Sequence, residues 1–460
     1  MIEWLRVAGY FILFQYLIGH IFLSFLWKNR TSNILMHIPL AWIIGNALSI
    51  PLLYILAFYN KLDIINPITG TIIFVLALVV AGTASTYNKK GVRVSVRQLL
   101  LLGAIIIFFL PLIRDSLYSF LIEWDAVAMW FIKAKAFFVA PGMWDNVLYQ
   151  SKAFLYTERS YPIGGPLLIA TYYRLIGFAN DQTVQVYFLF FYLNSVVLAL
   201  GFLYERIKSL SLLSILLIVL SFFITPLFIR FSHNGYMDMA MANSIASVVV
   251  LAIYQYEDKA SHTRLYLIPM LLIAGSGALI KNEGLPFLVL TVIVGWGISL
   301  YKKKAALAIT TSSIVLIYPL IAKLLWEYYK RNAQIHFYLT TLLPGADIRA
   351  RISLIVGQYL DTLQYTSTQS VVVILSFFLL LFLTTALVYK KQYSALLPQV
   401  FIVGQLGAYT YMYLITALPL NIQLPSSFDR LVLRLLPALF IVLVYQGEKV
   451  IKIFSNKQLL

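Results

Sequence analysis

Residues 371–388 read V-V-V-I-L-S-F-F-L-L-L-F-L-T-T-A-L-V, a run without a single charged side chain. A helix of about 20 residues crosses the ~30 Å hydrocarbon layer of a bilayer. The run does not alternate between apolar and polar residues, as the strands of a membrane barrel do. Residues 211–224 have the same character. The sequence therefore predicts an all-α protein, built as a polytopic bundle of transmembrane helices.

The composition of the whole chain agrees with this prediction. Of 460 residues, 61% are apolar and 12% are charged, whereas a soluble domain carries about 25% charged residues. The net charge of +17 would favour nucleic acid binding in a soluble protein. In a membrane protein it is typical of cytoplasmic loops beside anionic lipid, so we expect no nucleic acid partner. The chain has no cysteine, which excludes disulfides and thiol nucleophiles.

Hydropathy predicts about thirteen membrane spans. They cover residues 7–26, 34–58, 67–84, 98–113, 182–204, 210–229, 238–255, 265–280, 285–300, 305–326, 370–389, 394–417 and 431–447. Residues Met1 to Arg6 lead directly into the first span without a cleavage-site pattern. We therefore expect a retained span there and not a signal peptide.

Seven short segments rich in Lys and Arg determine the predicted orientation, because such loops lie in the cytoplasm. They are Lys28–Arg30, Lys89–Arg97, Arg206–Lys208, Lys259–Arg264, Lys302–Lys304, Lys390–Lys391 and Lys449–Lys457. With the amino terminus outside, all seven fall on the cytoplasmic side. One missed span would move every later segment to the other side.

The segment Tyr161–Phe178 is apolar enough to be such a missed span. Its Pro162, Gly164, Gly165 and Pro166 disfavour a regular helix at its start. We therefore expect a re-entrant or interfacial element on the outer face. Irregular backbone at membrane depth is tolerated where it is buried in protein or lines a cavity, so this element implies a cavity.

Three regions follow from this topology. Residues 1–97 hold three amino-terminal helices, residues 98–326 form the core with an outer loop at 114–181, and residues 327–460 hold a second outer loop and the last helices. The outer loops, 114–181 and 327–369, contain amphipathic stretches at Asp125–Phe138 and Ile348–Leu363 that suit the membrane surface.

Charged residues are unexpectedly frequent on the predicted outer side. This topology places 17 of the 35 Lys and Arg residues there. Four of them lie near span ends, where an unpartnered charge is costly: Arg230, Lys281, Arg430 and Arg434. The acids Glu123, Asp125, Asp238 and Glu283 return to the same face. This convergence predicts a binding site for an anionic ligand at the outer surface.

Each motif also has a purely structural interpretation. Glu123 and Asp125 precede a helical run that could be an interfacial helix with snorkelling lysines. Lys133 and Lys135 in that run point about 200° apart, so at most one shares a cleft with Asp125. Lys281-Asn282-Glu283-Gly284 could be a polar turn closed by glycine. As a functional element, its Lys would pair with a phosphate.

Two further motifs also have both a structural and a functional interpretation. Arg430 and Arg434 lie four residues apart, and Arg434 is about 6 Å deeper along the helix. Arg430 alone could snorkel, whereas the pair suits a lipid-linked phosphate or pyrophosphate. Asp238 could cap the helix that it begins. A Ser232-His233-Asp238 triad is disfavoured, because adjacent Ser and His residues do not easily adopt triad geometry.

In their order along residues 98–445, these motifs resemble the GT-C superfamily of polytopic glycosyltransferases. The nearest likeness is to bacterial relatives of protein O-mannosyltransferase and of the lipid A aminoarabinose transferase. The resembling stretches are E-W-D-A-V-A-M-W-F-I-K-A-K-A-F-F, Y-P-I-G-G-P-L-L-I-A, G-Y-M-D, A-L-I-K-N-E-G and S-F-D-R-L-V-L-R-L-L-P.

The resemblance implies inverting transfer of a sugar from a polyprenyl-phosphate donor to a glycan, lipid or protein acceptor. It implies a plasma (inner) membrane enzyme whose active site faces the periplasm. Asp125 would be the base, with Glu123 as the second choice. Donor phosphate would bind Lys281, Arg430, Arg434 and Arg230. The substrate pocket would include Asp238, His233, Glu283, Tyr161 and Lys133.

The chain departs from the family in having E-W-D where D-D or D-E is frequent. It also has three preceding spans and no large carboxyl-terminal soluble domain. No metal is required if Lys and Arg neutralise the phosphate, and Mg²⁺ or Mn²⁺, if used, would be held by Glu123 and Asp125. The alternatives are a lipid-linked oligosaccharide polymerase or ligase and a lipid or solute transporter. The absence of visible repeats and the gathering of charge at one face disfavour the transporter.

Overall fold

The computed structural model describes residues 8–28, 32–87, 91–120, 123–258, 262–335, 347–364, 368–416 and 419–455. Within them the chain is almost entirely helical, as expected. Parts of several predicted features lie outside the described residues: Met1 to Arg6 of the amino terminus, Arg30, Lys89, Lys90, Lys259 and Lys457 of the basic segments, and 336–346 and 365–367 of the second outer loop.

The α-helices follow one another along the chain with short connections. They are α1 (Phe14–Leu26), α2 (Ile34–Phe58), α3 (Pro67–Tyr87), α4 (Val96–Phe108), α5 (Leu110–Tyr118), α6 (Ile132–Val139), α7 (Val147–Gln150), α8 (Gly164–Ile176), α9 (Asp181–Arg206), α10 (Leu212–Phe223), α11 (Pro226–Phe231), α12 (Asp238–Glu257), α13 (Thr263–Ile280), α14 (Gly284–Tyr301), α15 (Ala305–Asn332), α16 (Ile348–Gln364), α17 (Thr368–Tyr389), α18 (Gln399–Ile415) and α19 (Leu420–Ser455). π-Helical turns cover Ala8–Leu13 and Ala126–Phe131, and 3-10 turns cover Leu62–Ile64, Lys152–Thr157 and Tyr393–Leu396.

Within the described residues, every predicted span overlaps one helix or consecutive helical segments, and the last, 431–447, lies inside the longer helix α19. Nine helical stretches of the described residues are long and apolar enough to cross a membrane. They are α2, α3, α4 with α5, α9, α12, α13, α14, α15 and α17. The shorter α1 and α10 are also apolar. The chain is therefore a multi-pass, all-α membrane protein.

The spans form a buried centre and a periphery that suits lipid. In α12, 89% of the most apolar window is buried, against 17% in α3. α12 packs against α9, α13 and α19, and together these helices bury one continuous apolar core. The peripheral helices expose large apolar side chains such as Leu76 and Val79. Such a surface requires a lipid environment.

The predicted basic segments meet at one end of the bundle, which we call the basic end. Ser32–Asn33 (β1) pairs in parallel with Val92–Arg93 (β2) there. Arg206 forms ion pairs with Glu257 (2.6 Å) and Glu448 (3.4 Å), and Lys449 with Glu257 (2.7 Å). Further contacts at this end are Trp27 Nε1 to Leu265 O (3.0 Å), Lys302 Nζ to Gln255 O (2.5 Å) and Lys390 Nζ to the Phe454 ring centroid (5.9 Å). Their clustering confirms that these segments share a side.

The segment Tyr161–Phe178 does not cross the bundle. Gly164–Ile176 is a regular helix, α8, and the expected irregular backbone is confined to the residues before it. Its thirteen residues span about 20 Å, too short for a crossing. Both of its ends lie beside α6, because Lys133 donates to Glu158 O (2.7 Å) just before the segment and Arg174 donates to Phe137 O (3.0 Å) near the end of α8. Most of α8 is buried in protein.

Candidate functional site

A cavity of about 860 Å³ lies at the end of the bundle opposite the basic end, which we call the site end. The two ends are joined by α12, whose first residue is Asp238 and whose last is Glu257. Twenty helical residues rise about 30 Å, which is close to the thickness of a bilayer's hydrocarbon layer. The cavity lies between residues 124–161, the turn from α13 to α14, and helices α18 and α19.

The predicted residue Asp238 lies at the centre of the site, directly beneath the cavity. It is fully buried, and its Oδ1 accepts hydrogen bonds from Lys281 Nζ (2.9 Å) and Arg434 Nε (2.5 Å). Its Oδ2 lies 4.0 Å from Arg430. The side chain makes no capping bond to α12, so the capping interpretation is wrong. Asp238 instead lies beside three cations, Lys281 from one part of the chain and Arg430 and Arg434 from another.

The turn Lys281–Gly284 brings a second carboxylate to the same cluster. Glu283 accepts hydrogen bonds from Tyr161 Oη (2.8 Å) and from an Arg434 nitrogen (3.1 Å). Burial alone raises the pKa of Glu283, but the charges of Arg434 and Lys281 outweigh it and hold that pKa at about 2. Burial and the Arg434 charge lower the pKa of Lys281. The turn therefore presents paired charges and is more than a polar connection.

Arg430 and Arg434 project from one face of α19 into the site. Arg430 forms an ion pair with Asp125, and its guanidinium lies 4.9 Å from the Tyr236 ring centroid. Arg430 Nε has no hydrogen-bond partner among the described residues. Arg434 is almost fully buried between Asp238 and Glu283. Three cations thus face three carboxylates, and the cluster is close to electrically neutral.

The two lysines of the 123–139 segment have opposite environments, as their helical spacing predicts. Lys135 is exposed and pairs with Asp181. Lys133 is fully buried and donates to the backbone carbonyl of Glu158 (2.7 Å). Burial lowers the pKa of Lys133 to about 7, and the Glu158 charge opposes this only in part. Lys133 supports the cavity wall from behind.

Five predicted site residues are not part of the cavity lining: Asp238 and Lys133, described above, and Glu123, Arg230 and His233. Glu123 accepts from Tyr236 Oη (3.0 Å) and lies 3.9 Å from the largely exposed Arg230. His233 lies 3.0 Å from Asp115 and 2.9 Å from Ser232 Oγ. The disfavoured Ser232-His233-Asp238 triad is not formed, since Asp238 is bound to Lys281 and Arg434.

The possible metal ligands do not form a shared site among the described residues. Glu123 and Asp125 bind different partners, namely Tyr236 and Arg430. No group of three or more His, Asp or Glu residues in the described ranges is arranged to hold a metal ion. Asp125 is instead part of the charge cluster with Arg430.

Glu158 and Tyr409 are among the residues of the cavity wall that the sequence did not indicate. Glu158 lines it from a left-handed backbone conformation (φ 49°, ψ 61°). Tyr409 lies under Arg434, with its ring centroid 5.7 Å from the guanidinium carbon. Neither stands in a quoted motif. The sequence feature that could have indicated Glu158 is its position three residues before the Tyr161-Pro162 pair, and that signal is weak.

The remainder of the cavity wall is mainly apolar, with Trp124, Met129, Leu285, Pro286, Met412 and Ile415. Leu285 and Tyr411 on this wall are more than half exposed on the outside of the bundle.

Comparisons of the chain with protein-family models, curated proteins and solved structures found no match. The arrangement itself, cations at the bottom of a cavity with apolar walls, suits an amphiphile with an anionic head.

Proposed function

We propose that the protein is a membrane glycosyltransferase that moves a sugar from a polyprenyl-phosphate donor to an acceptor hydroxyl with inversion. The observation that carries the proposal is the grouping of Lys281, Arg430 and Arg434 at the polar end of an otherwise apolar cavity. The likeness to GT-C enzymes in the order of the motifs supports it independently. The acceptor is a glycan, a lipid or a protein.

Of the three grouped cations, Arg430 is the one most accessible to a donor phosphate. Its side chain is 16% exposed, whereas those of Lys281 and Arg434 are almost fully buried against Asp238. A phosphate on Arg430 competes with Asp125 for the same guanidinium. As the glycosidic bond breaks, negative charge grows on the phosphate, and a fixed cation in a desolvated site stabilises that charge.

The apolar wall of the cavity suits the prenyl chain of the donor. Leu285, Pro286 and Met412 belong to α14 and α18, which pack against each other. A prenyl chain lying between these helices remains in the hydrocarbon layer while its phosphate meets Arg430. The hydrophobic gain is about 0.8 kcal/mol for each buried CH₂.

The orientation forms part of the proposal. Thirteen spans with the amino terminus outside place the basic end in the cytoplasm and the site end at the periplasmic face of the inner membrane. The resemblance assigns the role of base to Asp125, with Glu123 as the second choice, and of these two residues Asp125 is the one that lines the cavity. Lys281, Arg430 and Arg434 supply the positive charge that Mg²⁺ or Mn²⁺ supplies in other transferases.

Binding of polyprenyl phosphate to the protein in nanodiscs tests the donor site, with neutral polyprenol as the control ligand. Arg430→Met removes one charged hydrogen-bonding group worth about 1.5–3 kcal/mol, so we expect roughly 10- to 100-fold weaker binding. Arg331→Met, at an exposed position in the last turn of α15, is the matched control and should bind normally. Equal affinity of the wild type for polyprenol and polyprenyl phosphate would refute the proposal.

A further inference from the structure

Glu158 has an unusual backbone that two hydrogen bonds hold in place. Its φ of 49° and ψ of 61° lie in the left-handed region, which a side chain other than Gly, Asn or Asp rarely adopts. Its carbonyl accepts hydrogen bonds from Lys133 Nζ (2.7 Å) and Tyr161 N (2.9 Å). Such a conformation costs of order 1–3 kcal/mol and persists where the surroundings determine it.

Among the described residues, the carboxylate that this turn presents to the cavity has no hydrogen-bond or ion-pair partner. No described residue donates a hydrogen bond to it or lies within ion-pair distance of it. Both other acids on the cavity wall are bound, Asp125 to Arg430 and Glu283 to Tyr161 and Arg434. Glu158 is therefore the one carboxylate of the described cavity lining with its oxygens available to a substrate.

The electrostatic surroundings of Glu158 increase its affinity for a proton. Burial raises the pKa of Glu158, the Lys133 charge partly offsets that rise, and the nearby Asp125 carboxylate raises it again. A general base works best when its pKa approaches the working pH. An acid already bound to a guanidinium, as Asp125 is, has fewer lone pairs available to a hydroxyl proton.

We propose that Glu158 is the catalytic base of the transfer, while Asp125 stays with Arg430 in the donor-phosphate site. This rests on the glycosyltransferase function proposed above and differs from the role that the resemblance gives Asp125. The two acids thus have separate tasks. Asp125 sets the position and charge of Arg430, and Glu158 meets the acceptor.

The reaction then balances without any further reagent. The acceptor oxygen forms a bond to the anomeric carbon on the face opposite the phosphate, and its proton passes to a Glu158 oxygen. The bond from the anomeric carbon to the phosphate oxygen breaks, and its electron pair remains on the phosphate beside Arg430. The products are the inverted glycoside, polyprenyl phosphate and protonated Glu158, which returns its proton to water.

Turnover of synthetic undecaprenyl-phosphate hexoses and pentoses by the full chain in nanodiscs provides the test, with water as the acceptor. Release of undecaprenyl phosphate is the readout, and binding of undecaprenyl phosphate is measured separately. We expect Glu158→Gln to lower the rate at saturating donor about 10²–10⁴-fold with binding unchanged. The matched control, Asp145→Asn, changes an exposed acid of the same loop that accepts from Asn60 (2.7 Å) and should leave both unchanged.

Two further measurements keep the inference falsifiable if Glu158→Gln folds poorly. The wild-type rate should rise with pH through an acidic limb, and Glu158→Asp should keep that limb at a lower rate. Wild-type turnover in Glu158→Gln, or a wild-type rate independent of pH between pH 4 and 8, overturns the role of Glu158 but leaves the transferase intact. If the wild type neither binds undecaprenyl phosphate nor releases it from any donor, the proposed function itself fails.

Discussion

Burial of Lys133 should make the stability of the protein depend on pH. The pKa of Lys133 is lowered from 10.5 to about 7 by burial. Between those values the unfolded chain binds more protons at this position than the folded chain. The free energy of unfolding therefore rises with pH across that window, by up to about 1.4 kcal/mol per pH unit.

Thermal unfolding in nanodiscs at pH 7, 8 and 9 measures this contribution. Lys133→Met removes the titrating group, so the rise in Tm with pH should be smaller than in the wild type. Lys135→Met, at an exposed position of the same helix, should keep the full rise. Parallel Tm profiles for Lys133→Met and the wild type would show that Lys133 is not the source.

The sequence predicted individual residues well where charge conflicted with hydropathy. Lys281, Glu283, Arg430 and Arg434 stood out because a charge near a span end requires a partner. The structure brings all four to one cavity. Glu158 was not predicted, because it lies in a long polar loop where an acid is unremarkable. Its left-handed backbone and unpaired carboxylate depend on contacts with Lys133 and Tyr161, which no local pattern encodes.

At the scale of elements, the start of α8 controls the position of the Lys281 turn. A Cβ atom on Gly164 would lie 2.5 Å from the backbone oxygen of Leu279, near the end of α13. That oxygen also accepts from Tyr54 Oη (2.7 Å), and Tyr54 Oη accepts from Ile163 N (2.7 Å). Backbone atoms cannot move aside cheaply, so α8 and α13 must separate to admit a methyl group.

Gly164→Ala should therefore destabilise the protein by about 1–3 kcal/mol, the usual cost of overpacking. Gly297→Ala in α14 is the matched control, because nothing lies within 4 Å of its added Cβ. Removing a helical glycine there should be neutral or stabilise by up to about 1 kcal/mol. Comparing the Tm of the two variants tests the close approach of α8 to α13, and a Gly164→Ala protein as stable as Gly297→Ala would contradict it.

Helices were easier to predict than their local irregularities. Long apolar runs set the positions of the spans, since the bilayer imposes one length and one composition. Pro162 and the Gly and Pro residues at the start of α8 indicated an element that does not cross, which agrees with the structure, but they also suggested a broken helix, and α8 is regular. Gly164 and Gly165 serve close packing against α13 and Met237, which is a tertiary requirement.

At the scale of the whole molecule, the two ends of the bundle use charge differently. At the basic end, Arg206, Glu257 and Glu448 tie helix ends together beside exposed lysines such as Lys208. At the site end, the charges of Asp238 and Arg434 are buried around a cavity. The sequence could predict this division because the count of crossings determines every later loop. It could not predict which outer charges meet, since that depends on how α12, α13 and α19 pack.

The orientation of these ends can be measured directly, because a chain without cysteine accepts single cysteines as clean labels. Lys152→Cys places an exposed thiol in the 114–181 loop of the site end, and Lys208→Cys and Lys304→Cys place exposed thiols at the basic end. With the site end outside the cell, a membrane-impermeant maleimide should label Lys152→Cys in spheroplasts. The other two thiols should react only after the membrane is opened. The reverse pattern would invert the topology, and labelling of Lys208→Cys and Lys304→Cys from opposite sides would mean that the span count between them is wrong.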